Sequence, residues 1–85
     1  MNRNTIIEFL NSISEDDLRF LNVRLTERIG DDLGEALDFM SHFKSIDAVL
    51  SVARSANEVF DILDAITDVL QKECKRRGIQ INDRK

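Results

Sequence analysis

Residues 55–78 read SANEVFDILDAITDVLQKECKRRG, and the reading of this stretch decides the fold. Ser55 and Glu58 have the spacing of a capping box, in which the Ser hydroxyl accepts from the Glu58 amide and the Glu58 carboxylate reaches back to the Ser55 amide. Downstream, Val59, Phe60, Ile62, Leu63, Ala65, Ile66, Val69, Leu70 and Cys74 spread over an arc of about 220° at helical spacing. Lys75, Arg76 and Arg77 complement the negative end of a helix, and Gly78 suits the left-handed residue that closes one. The stretch therefore predicts a long C-terminal helix over about 56–77. A helix with a single packing face needs an apolar stripe only about 100° wide. This one is either central in a bundle or shares its second flank with another chain.

Outward from that helix, the chain reads as further short helices. Asn4 is a reasonable cap for a segment carrying Ile6, Ile7, Phe9 and Leu10 that ends near Ile13. Ser14 is followed by Glu15, Asp16 and Asp17, a hydroxyl cap and three carboxylates at the positive end of a helix dipole. Leu18, Leu21, Leu25 and Ile29 then draw one stripe along a helix predicted over about 15–29, with Gly30 as its left-handed stop. Asp31 or Asp32 caps a third helix in which Leu33, Ala36, Leu37, Met40 and Phe43 share a face, with Phe39 at its edge. The polar interval Ser41, His42, Lys44 and Ser45 points to a break, with Ser45 capping a short helix over Ile46 to Ala53. A lone strand at Ile46, Val49 and Val52 would leave its ladder groups unpaired, which favours the helix.

The expected fold is an all-α bundle of four to five helices, with the long helix central and the second and third helices antiparallel. With no Pro and only three Gly, the chain lacks the turn punctuation of a sandwich or barrel. Its 85 residues fit one domain, expected over 1–78, followed by a polar, flexible tail over 79–85 from which Ile79 and Ile81 could fold back on the long helix. No apolar run approaches the roughly 20 residues needed to span a bilayer, and the first residues lack the apolar core of a signal peptide. One cysteine permits no internal disulfide. A cytoplasmic protein without membrane association is the expectation.

Candidate chemistry is sparse. Asp61, Asp64 and Asp68 form a row that Lys72 and Lys75 continue, an order that the dipole and i,i+4 pairing explain as a solvated face rather than as general acid and base groups. The carboxylates of DDLGEALD, residues 31–38, have helical spacing and not the alternate ligands of a calcium loop. His42 and Cys74 are the only His and Cys, too few for a zinc shell within one chain. Cys74 reads as a small hydrophobe. No catalytic residue, cofactor or metal is expected.

Charge is divided unevenly. Residues 1–71 hold fourteen acidic and six basic side chains, a net of −8, whereas residues 72–85 hold six basic and two acidic, a net of +4. An acidic body repels phosphate backbones, and a helix-turn-helix reading fails because Glu58, Asp61, Asp64 and Asp68 would face the nucleic acid. The basic segment 72–85 remains as an alternative, a nucleic-acid-associated regulator using Lys72, Lys75, Arg76 and Arg77, or as a contact for a neighbour's acidic surface.

Protein association accounts for more. Phe20 and Val23 lie opposite the Leu18, Leu21, Leu25, Ile29 stripe, so a single layer cannot bury both sides of that helix unless the first helix covers them. With the wide arc of the long helix, this marks Phe20, Val23, Phe60, Val69 and Leu70 as expected partner-binding residues. The chain reads as a small non-enzymatic interaction or regulatory module for a protein partner, and as a homodimer or larger homo-oligomer.

Overall fold

A computed structural model describes residues 3–79. Five helices follow one another: α1 (Arg3–Asn11), α2 (Glu15–Glu27), α3 (Asp32–Ser41), α4 (Lys44–Ser51) and α5 (Ala56–Arg77). Among the described residues there is no strand. The all-α bundle expected from the sequence is the observed architecture, and its longest helix is the C-terminal one.

The start of α5 follows from its sequence with one change. Ser55 is extended, and its Oγ accepts the Glu58 amide at 3.2 Å. The Glu58 carboxylate, however, accepts the Arg54 amide at 2.7 Å rather than that of Ser55. An orphan donor is satisfied either way. At the far end Gly78 is left-handed (φ 75°), and the Ile79 amide donates to the Cys74 carbonyl at 2.9 Å. This closure turns Ile79 back onto the bundle, where it is buried. The expected tail beyond it, including Ile81, lies outside the described residues.

The end of α2 departs from expectation. The Ser14 cap forms as predicted, its Oγ accepting the Asp17 amide at 3.1 Å. The helix stops at Glu27 with Arg28 as its left-handed cap at φ 53°; Gly30 is left-handed as expected, at φ 61°, but lies in the turn beyond that cap. A side chain in that region costs about 1 kcal/mol or more. Arg28 offsets the cost with its own guanidinium: Nε donates to the Leu25 carbonyl at 2.7 Å and Nη2 to Asp64 of α5 at 2.5 Å. Ile29 is thereby expelled from the predicted stripe and is 67% exposed. Leu18, Leu21 and Leu25 remain in the core.

The break between α3 and α4 falls where the sequence places it, but Phe43 and not Ser45 is the cap, extended at φ −113°. Aromatic packing fixes it there: the Phe43 ring meets Phe9 of α1 at 5.0 Å, edge-on, and Phe39 of α3 at 5.2 Å.

Pairings across the bundle give its directions. Arg24 meets Glu35 and Phe20 meets Phe39, so α2 and α3 are antiparallel, as expected. Arg28 meets Asp64, and Asn22 meets Gln71, so α2 also runs antiparallel to α5. Helix α5 packs against α1, α2 and α4, and α3 against α2 and α4. The core gathers Ile6, Phe9 and Leu10 from α1, Leu18, Leu21 and Leu25 from α2, Met40 from α3, Ile46 from α4, and Leu63, Ile66 and Leu70 from α5. The long helix is therefore central. No described helix is long and apolar enough to cross a membrane.

Candidate functional site

The two halves of α5 are covered differently, and the candidate site follows from that. Val69, Leu70, Glu73 and Cys74 in the C-terminal half are all buried. In the first two turns nothing is fully buried, and Leu63 is the first core residue. The reason lies in the partners: α2 gives way to its Arg28 turn here, and α4, eight residues long, buries only Ile46 completely.

Between α4 and this half of α5 runs an open groove of about 640 Å³. Helix α4 and the turn after it contribute Ser45, Ala48, Val49 and Val52, spaced so that they share one side. Helix α5 contributes Ile62 with the exposed acids Glu58 and Asp61, and α1 contributes Thr5. The walls are apolar, Val52 is 68% exposed, and every charged side chain in the lining is acidic. Sequence reasoning missed the groove. The 45, 48, 49, 52 spacing was its one signal, and in so short a helix that signal cannot be told from a core stripe.

The expected partner-binding residues separate. Val69 and Leu70 belong to the core, 3% and 0% exposed, and are withdrawn from the candidate surface. Most of the wide arc of α5 is covered within the chain, because α1, α2 and α4 each pack on a part of it, and its Phe60 edge is left open. Phe20 is half-buried: α3 covers it through Phe39 at 5.6 Å, and the Arg24 guanidinium lies 3.9 Å above its ring. The covering helix is thus α3, not α1. Val23 and Phe60 are open, 38% and 40% exposed, with the Arg28 guanidinium 5.9 Å from the Phe60 ring centre. The exposed Ile29 is the neighbour of Arg28 in the same turn.

The basic residues of α5 are largely engaged at home. Lys72 pairs with Asp68 at 3.2 Å, as the i,i+4 reading requires. Arg76 and Arg77 both converge on Glu73, at 2.8 and 3.2 Å, and Arg77 also donates to Asn11 at the end of α1. The Arg76 guanidinium, with Arg77 behind it, holds the Glu73 carboxyl below the usual carboxylate range against the upward push of burial. Glu73 is the residue that sequence reasoning passed over, since a lone acid in a cationic run reads as a solvated group. Of the four cations named above, only Lys75 has no carboxylate within reach among the described residues.

The remaining candidates take quiet roles. Asp64 is the partner of Arg28, and Asp68 that of Lys72. The His42 ring meets the Asp38 carbonyl at 2.9 Å. Cys74 is buried, and burial pushes its thiol pKa up, away from a reactive thiolate. No three His, Cys, Asp or Glu side chains cluster as metal ligands among the described residues. Comparison with protein-family models, with curated proteins and with solved structures finds no match to this chain.

Proposed function

We propose that the chain is a small non-enzymatic, cytosolic interaction module that presents a helical surface to a protein partner and self-associates. One observation carries this reading: among the described residues the large apolar side chains Val23, Ile29, Val52 and Phe60 are all exposed. Exposed apolar side chains that gather into a patch mark partner surfaces, and Ile29 and Phe60 both adjoin Arg28. The polar side of the ledger points the same way, since no buried side-chain nitrogen or oxygen among the described residues lacks a hydrogen bond.

Self-association is assigned to the Phe60 side of α5, which carries an exposed aromatic ring beside the Arg28–Ile29 turn. Aromatic anchors with a neighbouring Arg are the side chains that contribute most at protein interfaces. Light scattering coupled to size exclusion, run over a wide range of loading concentrations, tests the reading. The expected result is a mass above that of one 9.8 kDa chain that falls on dilution, and that Phe60→Glu reduces to monomer at all concentrations. A wild-type mass fixed at one chain throughout removes self-association.

A further inference from the structure

We infer that the groove between α4 and α5 receives an amphipathic helix of another protein, one whose apolar stripe is flanked by Lys or Arg. The inference rests on the interaction-module reading and adds to it a second site, on the other flank of α5 from Phe60, and the chemistry of its occupant.

Shape selects a helix. Among the described residues no sheet edge is present for an extended peptide to join, so the available mode is a helix laid between two helices. Ser45 and Ala48 are small, which lets a third helix approach α4 closely. From Ser45 to Val52 the α4 wall measures about 10 Å, two turns of an incoming helix.

Charge selects the flank. Glu58 and Asp61 are the charged residues of the lining, and both are exposed. The contact Glu58 makes is with the Arg54 amide, a neutral donor, so its charge is not cancelled there. The Asp61 side chain makes no hydrogen bond or ion pair among the described residues. A second copy docked by twofold symmetry on this groove would set the two acidic rims against each other, which disfavours the chain itself as the occupant. Phosphate backbones and anionic lipid are repelled for the same reason. A cationic flank is attracted, and the apolar side chains of Val49, Val52 and Ile62 are available to its stripe.

The probe is a labelled Leu/Lys amphipathic peptide of about 14 residues, four helical turns, with its Leu/Glu counterpart as control. Titration by fluorescence anisotropy should show the Lys peptide bound and the Glu peptide unbound. Asp61→Lys and Val52→Ser should each weaken binding about fivefold or more, whereas Asp38→Lys on α3, with the same change of net charge, should leave it within about twofold. All three positions are exposed, and circular dichroism checks that each variant folds. Amide shift perturbations should concentrate at Ala48, Val52 and Ile62. Equal loss in Asp38→Lys, equal binding of the Glu peptide, or perturbations centred elsewhere would overturn the proposal. A strict monomer that binds the Lys peptide in the groove keeps this inference and loses self-association; a dimer that does not bind it does the reverse.

Discussion

The two halves of α5 are one continuous helix with apolar residues along its whole length, yet they live in different surroundings. The C-terminal half is enclosed: Val69, Leu70 and Cys74 lie in the core, and Glu73 draws Arg76 and Arg77 over the end of the bundle, with Asn11 of α1 tied in through Arg77. The N-terminal half leaves Phe60 open on one flank and a groove on the other. What separates them is how fully their neighbours cover them, since α1 reaches Arg77 through Asn11 whereas α4 buries only Ile46 completely. Apolar sequence alone does not create a core; another element must extend far enough to cover it.

If this contrast is right, truncations in the two halves differ in cost. Leu70→Ala should destabilise by about 2–4 kcal/mol, the range for a fully buried Leu, while Phe60→Ala should cost no more than about 1 kcal/mol because its ring already meets water. Urea denaturation of both variants measures this, and equal losses would break the comparison.

A sharper view of the enclosed half comes from Glu73→Gln, which should cost about 1–2 kcal/mol at neutral pH by weakening two charge-assisted hydrogen-bonded pairs. Its pH dependence has a definite sign. The folded carboxyl titrates below its unfolded value of about 4.3, so the contribution is fully present above that pH and is lost as pH falls through the lower, folded value. The stability gap between wild type and Glu73→Gln should therefore close on acidification below about pH 4. A gap that is flat with pH would show that the charge of Glu73 contributes nothing.

Smaller effects probe the open half. Ser55→Ala removes the acceptor for the Glu58 amide and should cost about 1 kcal/mol, with loss of helical signal confined to the first turn of α5. Exchange of the amides from Glu58 onward reports it. At Arg28, the left-handed backbone favours glycine, so Arg28→Gly should be more stable than Arg28→Ala by about 0.5–1 kcal/mol although both lose the Asp64 pair. The reverse order would mean that the backbone there relaxes.

Much of this fold is legible in the sequence because its boundaries are chemical. Ser14, Ser55 and Gly78 each do at a helix end what their side chains, or the lack of one, dictate. Arg28 is not legible, because its unfavourable backbone is stabilised by Asp64, a residue far along the chain that becomes a neighbour only in the folded state. Glu73 is hidden because its burial is a product of the folded bundle, whereas its partners Arg76 and Arg77 are local and read as solvated cations. The surface was the least legible part. Periodicity sets Phe60 at one edge of the apolar arc of α5 and Val69 inside it, but only the reach of α1, α2 and α4 decides that the first is open and the second covered.

The single fully buried anchor of α4, Ile46, has a kinetic consequence. A helix of eight residues is not stable alone, so detaching Ile46 would release all of α4 as one cooperative unit while the Leu70 layer stays intact. Native-state hydrogen exchange should therefore find the amides of residues 48–51 unprotected by a sub-global opening well before those of residues 66–74. A ligand in the groove would slow that opening in proportion to its concentration, which makes the exchange rate of α4 a gauge of occupancy.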